Sequence, residues 1–274
     1  MKRSINIKGT LMDLSTPKVM GILNVTPDSF SDGGKYTDLD SAIMQAEKMV
    51  KEGVNILDVG GYSSRPGADE VSVEEELERV VPVIEKLHDV CDLPISIDTF
   101  RSKVARAAVD AGANIVNDIS AGEDDELMIT TVAELKVPYI AMHKQGVPLT
   151  MQDNPEYDNV LKNVFEYLLA KKEECLNAGI VDLIIDPGFG FGKTIEHNYE
   201  LLRNLNHFQL LGIPILVGLS RKSMIYKVLD SSAEEALNGT SFLHAYALQG
   251  GASILRVHDV KEAVECVKLW ERLE

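Results

Sequence analysis

Cysteine is scarce in this sequence: its three cysteines, Cys91, Cys175 and Cys266, lie far apart and form no C-x-x-C pair. Cysteines that bind a metal or form a redox pair usually occur at short spacings. We therefore expect these three to stay reduced and to pack as small hydrophobic side chains. The sequence predicts neither a disulfide framework nor a cysteine metal site.

Cationic residues and long apolar runs are scarce as well. The chain has 27 Lys and Arg against 43 Asp and Glu, a formal net charge of −16. Nucleic-acid binding needs a basic face, so we expect no nucleic-acid partner. No apolar run approaches the roughly 18 residues that span a bilayer. Residues 1–8 are basic but lead into no apolar segment typical of a signal peptide, so we expect a cytoplasmic protein without a membrane partner.

Short strands alternate with helical patterns from end to end of the 274 residues. Each strand candidate is a Val-, Ile- or Leu-rich run, as expected of parallel strands buried on both faces. The candidates are residues 19–25, 54–59, 94–98, 114–118, 137–142, 181–186, 214–219 and 253–257. They predict a single domain, residues 1–274, with an α/β fold: a (β/α)8 TIM barrel with a short N-terminal hairpin or cap. A doubly wound sheet is the competing architecture.

Helix boundaries are marked by capping residues. Ser72 and Ser232 are each followed three residues later by Glu, the capping-box pattern of a helix start. Apolar residues at helical spacing predict a helix within 157–177, and Gly179 is its predicted stop. A closing helix carries an apolar stripe, typical of a core or subunit contact, made of Ala263, Val264, Val267 and Trp270.

Two connections are rich in Gly, Ser and Pro, at residues 27–34 and 62–68. They follow the first and second predicted strands, so they belong to the face of a barrel where active sites are built. Both also carry ionisable or aromatic groups. We interpret them as segments that cover a substrate.

Polar residues stand at the C-terminal ends of all eight predicted strands. In a barrel these ends meet at one rim, so the set indicates a site, although Asp58 or Asp118 alone is equally consistent with structural hydrogen bonding. The strand-end residues are Asn24, Asp58, Asp98, Asn117, Asp118, Met142, His143, Asp186, Ser220, Arg221, Lys222, Arg256 and His258.

The chemistry of these residues falls into two groups. Asp98, Asn117 and Asp186 offer acceptors and one amide, which suit a flat heterocycle rich in N–H donors. A second set offers donors to oxyanions such as phosphate; it consists of Arg65, Lys222, Arg256 and His258. Asn24 brings a neutral oxygen, which is enough as one ligand for a Mg²⁺ that keeps waters and phosphate oxygens. The rim therefore predicts a site for a nitrogen heterocycle joined to a phosphate.

Residues 187–194, Pro-Gly-Phe-Gly-Phe-Gly-Lys-Thr, approach a phosphate-binding P-loop but do not match it. The first glycine of that motif would have to stand at Pro187. The segment is not a dinucleotide fingerprint either, because Lys193 occupies the place of its last glycine.

At these residues the sequence closely resembles the dihydropteroate synthase family. The matching segments span the whole predicted barrel in the right order. They are residues 21–33 (GILNVTPDSFSDG), 58–61 (DVGG), 64–68 (SRPGA), 96–99 (SIDT), 117–118 (ND), 142–143 (MH), 186–193 (DPGFGFGK), 220–223 (SRKS) and 256–258 (RVH).

The resemblance implies a reaction and its site. Members condense 6-hydroxymethyl-7,8-dihydropterin pyrophosphate with 4-aminobenzoate to give 7,8-dihydropteroate and pyrophosphate, and sulfonamides compete with the aminobenzoate. By analogy the catalytic residues are Asp98, Lys222 and Arg256, and the pterin is held by Asp98, Asn117, Met142, Asp186 and Lys222. The pyrophosphate is held by Mg²⁺ on Asn24 and by Arg65, Arg256 and His258. The aminobenzoate lies among Phe30, Ser64, Arg65, Pro66, Phe191 and Ser220. The family is commonly homodimeric through late barrel helices, which would use the apolar stripe of the closing helix.

The sequence departs from the family pattern at three positions. Tyr62 replaces a carboxylate, Ser64 replaces a threonine, and Lys144 stands where a less charged residue is common. These changes bear on aminobenzoate and sulfonamide affinity. Two other functions compete with the synthase interpretation: a methyltetrahydrofolate–corrinoid methyltransferase and a non-catalytic pterin-binding protein. The first should lack the 64–67 loop and the Arg256-x-His258 pair, and the second is disfavoured because Asn24, Asp98 and Arg256 are intact.

Overall fold

A parallel sheet forms the centre of the molecule in the computed structural model, which describes residues 4–25, 35–62, 71–146, 151 and 155–273. The first two strands, β1 (Ser4–Ile7) and β2 (Thr10–Asp13), form a separate antiparallel hairpin. The sheet strands are β3 (Lys18–Asn24), β4 (Ile56–Gly60), β5 (Ile95–Asp98), β6 (Ile115–Asp118), β7 (Tyr139–Met142), β8 (Leu183–Asp186), β9 (Leu216–Val217) and β10 (Ile254–Val257). All eight predicted strands are confirmed, each within a few residues.

The sheet closes into a barrel. Its strand order is β8-β7-β6-β5-β4-β3-β10-β9, and every strand pair is parallel. A bridge between Ile185 and Ile215 joins β8 to the residues that lead into β9. The backbone N–H of Ile185 donates to the oxygen of Pro214 at 3.0 Å in the same region. This closure confirms the TIM barrel rather than the open doubly wound sheet.

Helices cover the outside of the barrel. They are α1 (Lys35–Glu52), α2 (Val73–Leu87), α3 (Ser102–Asp110), α4 (Met128–Leu135), α5 (Val160–Ala178), α6 (Ile195–Arg203), a 3₁₀ helix (Leu205–Leu211), α7 (Ser223–Tyr226), α8 (Leu237–Gln249) and α9 (Val260–Trp270). The Ser72 hydroxyl accepts from the Glu75 N–H at 3.1 Å, so the predicted cap of α2 is confirmed. Gly179 ends α5 in the left-handed conformation, as predicted.

The capping prediction at Ser232 is wrong. The Ser232 carbonyl accepts from the Glu235 N–H in a turn, and α8 begins only at Leu237. The neighbouring carbonyls of Ala233 and Glu234 accept from Arg221 Nη1 at 2.9 and 2.6 Å. A helix that started here would need these carbonyls as acceptors for its own backbone hydrogen bonds. Arg221 occupies them through a tertiary contact instead.

Apolar side chains fill the barrel interior at its N-terminal end. Ile5 and Ile7 of the hairpin pack in one buried cluster with strand residues that include Met20, Ile56 and Ile115. The hairpin therefore closes the bottom of the barrel, as predicted. The stripe on α9 packs into the core of this chain, with Ala263 1% and Val267 6% exposed. The expectation that this stripe forms the dimer contact is therefore wrong, because its side chains are already buried or partly buried within one chain.

Candidate active site

Strand register brings the first predicted site residues into one row. Asn24 pairs with Gly60, Gly60 with Asp98, and Asp98 with Asn117. Gly60 has no side chain, and a Cβ there would lie 3.6 Å from the Asp98 Cβ and 3.8 Å from the Asn24 Oδ1. Asn24 and Asp98 therefore flank an open position at the rim.

An arginine joins two acidic residues across the mouth of the barrel, the opening that the rim of C-terminal strand ends surrounds. Arg256 Nε donates to Asp58 Oδ2 at 2.6 Å, and its Nη2 donates to Asp98 Oδ2. Asn117 Nδ2 donates to the same Asp58 oxygen at 3.2 Å. Burial raises the pKa of Asp98 to about 7, against the lowering effect of Arg256. Burial would lower the pKa of Arg256, but Asp58 and Asp98 outweigh it and raise that pKa.

A second charged pair faces this network from β8 and the segment after β9. Asp186 Oδ1 accepts from the Gly188 N–H at 2.7 Å, and burial raises the pKa of Asp186. Lys222 Nζ donates to the Phe189 carbonyl and lies 4.8 Å from the centre of the Phe191 ring. Burial lowers the pKa of Lys222 to about 8, although Asp186 opposes this shift. The mouth thus holds carboxylates and cations in nearly matched numbers.

Ser220 and His258 lie together beside this pair. His258 donates its backbone N–H to the Ser220 Oγ at 3.2 Å, and its Nδ1 is 3.0 Å from the same oxygen. Arg221 has a structural role instead. Its Nε and Nη2 each donate to Asp259 at 2.8 Å, which ties the segment after β9 to the segment after β10.

Asp118 is a structural hydrogen bonder rather than a ligand for a substrate. Its carboxylate accepts from the Tyr139 hydroxyl at 2.7 Å, from Ser120 and from the Gly122 N–H. Met142 ends β7 as a buried apolar residue, 4% exposed. Four predicted site residues, Phe30, Ser64, Arg65 and Pro66, lie outside the described residues, as do most of the two loops predicted to cover the substrate.

Two residues of this rim carry no assigned role from the sequence, although both have important partners. Asp58 anchors Arg256 across the rim. Lys193, in the segment that does not match a P-loop, is 2% exposed and bonds to three carbonyls and to His143. The sequence feature that indicates this role is a lysine at the end of a run of alternating Gly and Phe. The glycines in such a loop leave backbone carbonyls accessible, and a buried lysine can donate to them.

Lys144, a departure from the family pattern, is also buried. It is 7% exposed and forms an ion pair with Asp124, in the segment between β6 and α4. Tyr62, the other described departure, packs edge-on against Phe100 at 5.3 Å between ring centres. Both substitutions therefore have local partners.

Within the described residues, no helix combines the length and the apolar character needed to cross a membrane.

Comparison with known proteins agrees with this geometry. The family model for pterin binding enzymes matches residues 20–258. The dihydropteroate synthase of Haemophilus influenzae is 50% identical over 262 residues, which cover 95% of each chain. The crystal structure of the Yersinia pestis dihydropteroate synthase with a sulfonamide drug complex superposes with a TM-score of 0.93 at 43% identity, covering 98% of both chains.

A Xanthomonas albilineans dihydropteroate synthase with 4-aminobenzoic acid superposes equally well, with a TM-score of 0.93 and 43% identity over 100% of this chain and 98% of that one. The identity extends over nearly the full length of each relative, and the strand-end residues above occupy the mouth of the shared barrel. The chain therefore belongs to the dihydropteroate synthase family of pterin-binding enzymes.

Proposed function

We propose that the rim of this barrel joins 6-hydroxymethyl-7,8-dihydropterin pyrophosphate to 4-aminobenzoate, with the pterin in the mouth and the pyrophosphate on Arg256 and His258. Membership in the family makes the chain a transferase of folate biosynthesis acting on small molecules, and sulfonamides compete at such enzymes. The observation that carries the assignment of roles is the Asp58–Arg256–Asp98 network, which joins a cation for phosphate to a carboxylate for the pterin.

The pterin is assigned to Asp98, Asn117, Asp186 and Lys222, with Met142 against the ring face. An ionised carboxylate that accepts two N–H bonds from a guanidine-like edge makes a strong, directional contact. Asp186 is buried and keeps one oxygen bonded to the Gly188 N–H, so its orientation is fixed before a substrate arrives. Lys222 supplies the complementary donor for a ring oxygen or nitrogen.

Mg²⁺ is assigned to the pyrophosphate with Asn24 as its protein ligand. No group of three or more His, Cys, Asp or Glu in the described part of the chain could hold a metal ion. A site with one amide oxygen suits Mg²⁺, which keeps several waters and takes its remaining ligands from substrate phosphates. When bound there, Mg²⁺ would neutralise charge on the leaving pyrophosphate. Arg65, outside the described residues, is assigned to the same group.

The reaction breaks the bond between the pterin methylene carbon and the pyrophosphate oxygen. Arg256 and His258 stabilise the negative charge that grows on the leaving group. The electron-rich dihydropterin delocalises the positive charge left on the methylene, and Asp98 lies at the rim to stabilise it. We therefore propose an SN1-like path in which the arylamine attacks the cation and then loses a proton. Exclusion of water would protect the cation from hydrolysis.

The aminobenzoate is assigned to Phe191 and Ser220, together with Phe30, Ser64, Arg65 and Pro66. Phe191 presents its ring beside Lys222, so an aromatic substrate there would meet both a ring face and a cation. Ser220 lies next to His258, which is assigned to the pyrophosphate, so the two substrates would meet in this part of the rim.

We propose that the chain forms a homodimer through α8 and α9. The contact surface would consist of exposed apolar side chains and not of the buried stripe on α9. The α8 side chains Phe242 and Tyr246 are 70% and 45% exposed, and Leu269 of α9 is 70% exposed. Helices α8 and α9 pack against each other, so these residues belong to neighbouring elements. Light scattering after gel filtration tests the assignment: the wild type should be a dimer and Phe242→Glu a monomer.

The experiment that tests the function is pyrophosphate release by the purified protein given the pterin pyrophosphate, with 4-aminobenzoate and Mg²⁺ omitted in turn. We expect release to require both, with dihydropteroate as product. A folded protein without turnover would contradict the proposal. Binding of pyrophosphate should depend on Mg²⁺ in the wild type and lose that dependence in Asn24→Ala; equal dependence in both would remove Asn24 from the metal site.

A further inference from the structure

A buried lysine supports the loop that carries Phe189 and Phe191. Lys193 Nζ donates to the Gly188 carbonyl at 2.9 Å and to the Phe191 carbonyl at 3.0 Å, and it lies 2.9 Å from His143 Nδ1. An ammonium group has three N–H donors, so these three contacts can use all of them, and the His143 carbonyl lies farther away at 3.4 Å. Burial lowers the pKa of Lys193 to about 7; the charge of Asp186 opposes this shift and that of Lys222 adds to it.

These contacts cross-link two loops of the rim. Gly188 and Phe191 lie between β8 and α6, whereas His143 directly follows β7. The loops touch so closely that a Cβ on Gly188 would lie 1.8 Å from the His143 carbonyl oxygen, and a Cβ on Gly192 would lie 2.2 Å from that of Gln145. Lys193 is therefore enclosed between backbones that have little freedom to rearrange around another side chain.

Lys193 also determines the protonation state and tautomer of the His143 ring. An ammonium donating to Nδ1 requires an imidazole that is neutral and carries its proton on Nε2. Burial first, and then the charge of Lys193, lowers the pKa of His143 to about 2. The ring packs edge-on against Tyr167 at 4.8 Å. His143 thus serves as an acceptor inside the scaffold.

Lys222 contacts this loop as well. Its Nζ donates to the Phe189 carbonyl and lies over the Phe191 ring, 4.8 Å from the ring centre. Lys193 holds the carbonyl that precedes Phe189 and the carbonyl of Phe191 itself. Lys193 therefore holds the backbone segment whose Phe189 carbonyl accepts from Lys222.

We propose that Lys193 is a positioning residue of the active site, which holds residues 187–193 so that Lys222 and Phe191 meet the pterin and the aminobenzoate. The proposal rests on the proposed function of the rim. Lys193 touches no substrate in this scheme and acts only through its neighbours.

A double-mutant cycle on Lys193→Met and Lys222→Met tests it. We expect Lys193→Met to lower kcat/KM for the pterin pyrophosphate by on the order of tenfold to a hundredfold. If Lys193 acts through Lys222, the double variant should stay within about threefold of Lys222→Met alone. Independent effects that multiply in the double variant would overturn the proposal.

Lys172→Met is the matched control, because Lys172 Nζ donates to the Leu211 carbonyl at 2.7 Å before β9, at the closed end of the barrel. We expect it to lower Tm while leaving kcat/KM within about twofold. If Lys193→Met does not fold, Lys193→Gln, which keeps an amide donor, enters the same cycle. A wild type without synthase activity would refute the proposed function, whereas an active wild type with multiplying effects would refute only the role of Lys193.

Discussion

Arg256 and Asp58 pair across the barrel mouth, with 2.6 Å between Nε and Oδ2, although 198 residues separate them in the chain. Asp58 is fully buried and also accepts from Asn117, whereas Arg256 continues to Asp98. The position of the cation assigned to pyrophosphate is thus fixed by a carboxylate that takes no part in the chemistry. This arrangement preorganises the site, because Arg256 needs no reorientation when a substrate binds.

Asp58→Asn should therefore harm both stability and turnover. The change leaves the partly buried Arg256 with Asp98 as its remaining carboxylate partner. The cost should therefore be on the order of 2–3 kcal/mol, below the roughly 3–5 kcal/mol of a buried ion pair that loses its partner entirely. We expect a loss of this size in the unfolding free energy by urea titration, with a fall in kcat/KM for the pterin pyrophosphate. Glu134→Gln is the control, since the exposed Arg106–Glu134 pair should contribute at most about 1 kcal/mol. Equal losses in the two variants would contradict the role of Asp58.

The pH dependence of turnover should be bell-shaped. Asp98 must be ionised to stabilise the cation, and burial raises its pKa to about 7, so kcat/KM should fall as the pH drops below that value. Lys222 must be charged, and burial lowers its pKa to about 8, so kcat/KM should fall again above it. Because the groups interact, the two limbs report the coupled site. Lys193, with a pKa of about 7, contributes to the same limb, so Lys222→Arg should change the alkaline limb without abolishing it. A profile identical to that of the wild type would exclude Lys222 as a source.

Asp98 should also influence the pH dependence of stability. Its pKa is raised in the folded state, so the folded state binds the proton more tightly than the unfolded chain does. This stabilisation is complete below about pH 4 and is lost as the pH rises through about 7. Between pH 5 and 8 the unfolding free energy of the wild type should therefore fall more than that of Asp98→Asn. Parallel curves would contradict the raised pKa.

Asp98→Asn should also separate catalysis from binding. If Asp98 stabilises the methylene cation, its neutral replacement lowers kcat far more than it weakens pyrophosphate binding. Steady-state kinetics gives the first quantity and titration calorimetry the second. Comparable losses in both would remove this role from Asp98.

Gly188→Ala and Gly179→Ala form a matched pair of glycine substitutions. Both positions have positive φ, +71° and +98°, so each variant pays the left-handed penalty of about 1–2 kcal/mol. An added Cβ finds nothing within 4 Å at Gly179 but lies 1.8 Å from the His143 carbonyl oxygen at Gly188. We expect only Gly188→Ala to lose further stability and turnover. Equal Tm shifts would mean that the two loops move apart freely.

Arg101→Met should destabilise the fold through Glu76. Arg101 forms an ion pair with this fully buried carboxylate, donates to the Val71 carbonyl at 2.6 Å and lies 5.7 Å from the centre of the Tyr62 ring. The variant should lose about 3–5 kcal/mol in urea unfolding because Glu76 remains buried without its partner. The double variant Arg101→Met/Glu76→Met should recover most of this loss. A double variant no more stable than Arg101→Met would show that the charge is not the cause.

The sequence by itself determined the barrel and the rim. Buried parallel strands need continuous Val, Ile and Leu, so residues 181–186 and 253–257 predict strands, which the structure places at 183–186 and 254–257. Polar side chains at their ends indicate Asp186 and Arg256 as site residues. The sequence also predicts a helix cap correctly where the cap needs only neighbouring residues, as at Ser72.

Only the tertiary structure decided which polar groups pair. Asp58 and Asp118 are alike in sequence, yet one holds Arg256 across the mouth and the other is occupied by Tyr139 and Ser120. The capping pattern at Ser232 failed because Arg221 binds the neighbouring carbonyls, and Lys193 was missed because its partner His143 lies 50 residues away. Periodicity records which face of an element is buried, whereas hydrogen-bond partners depend on which elements the closed barrel brings together.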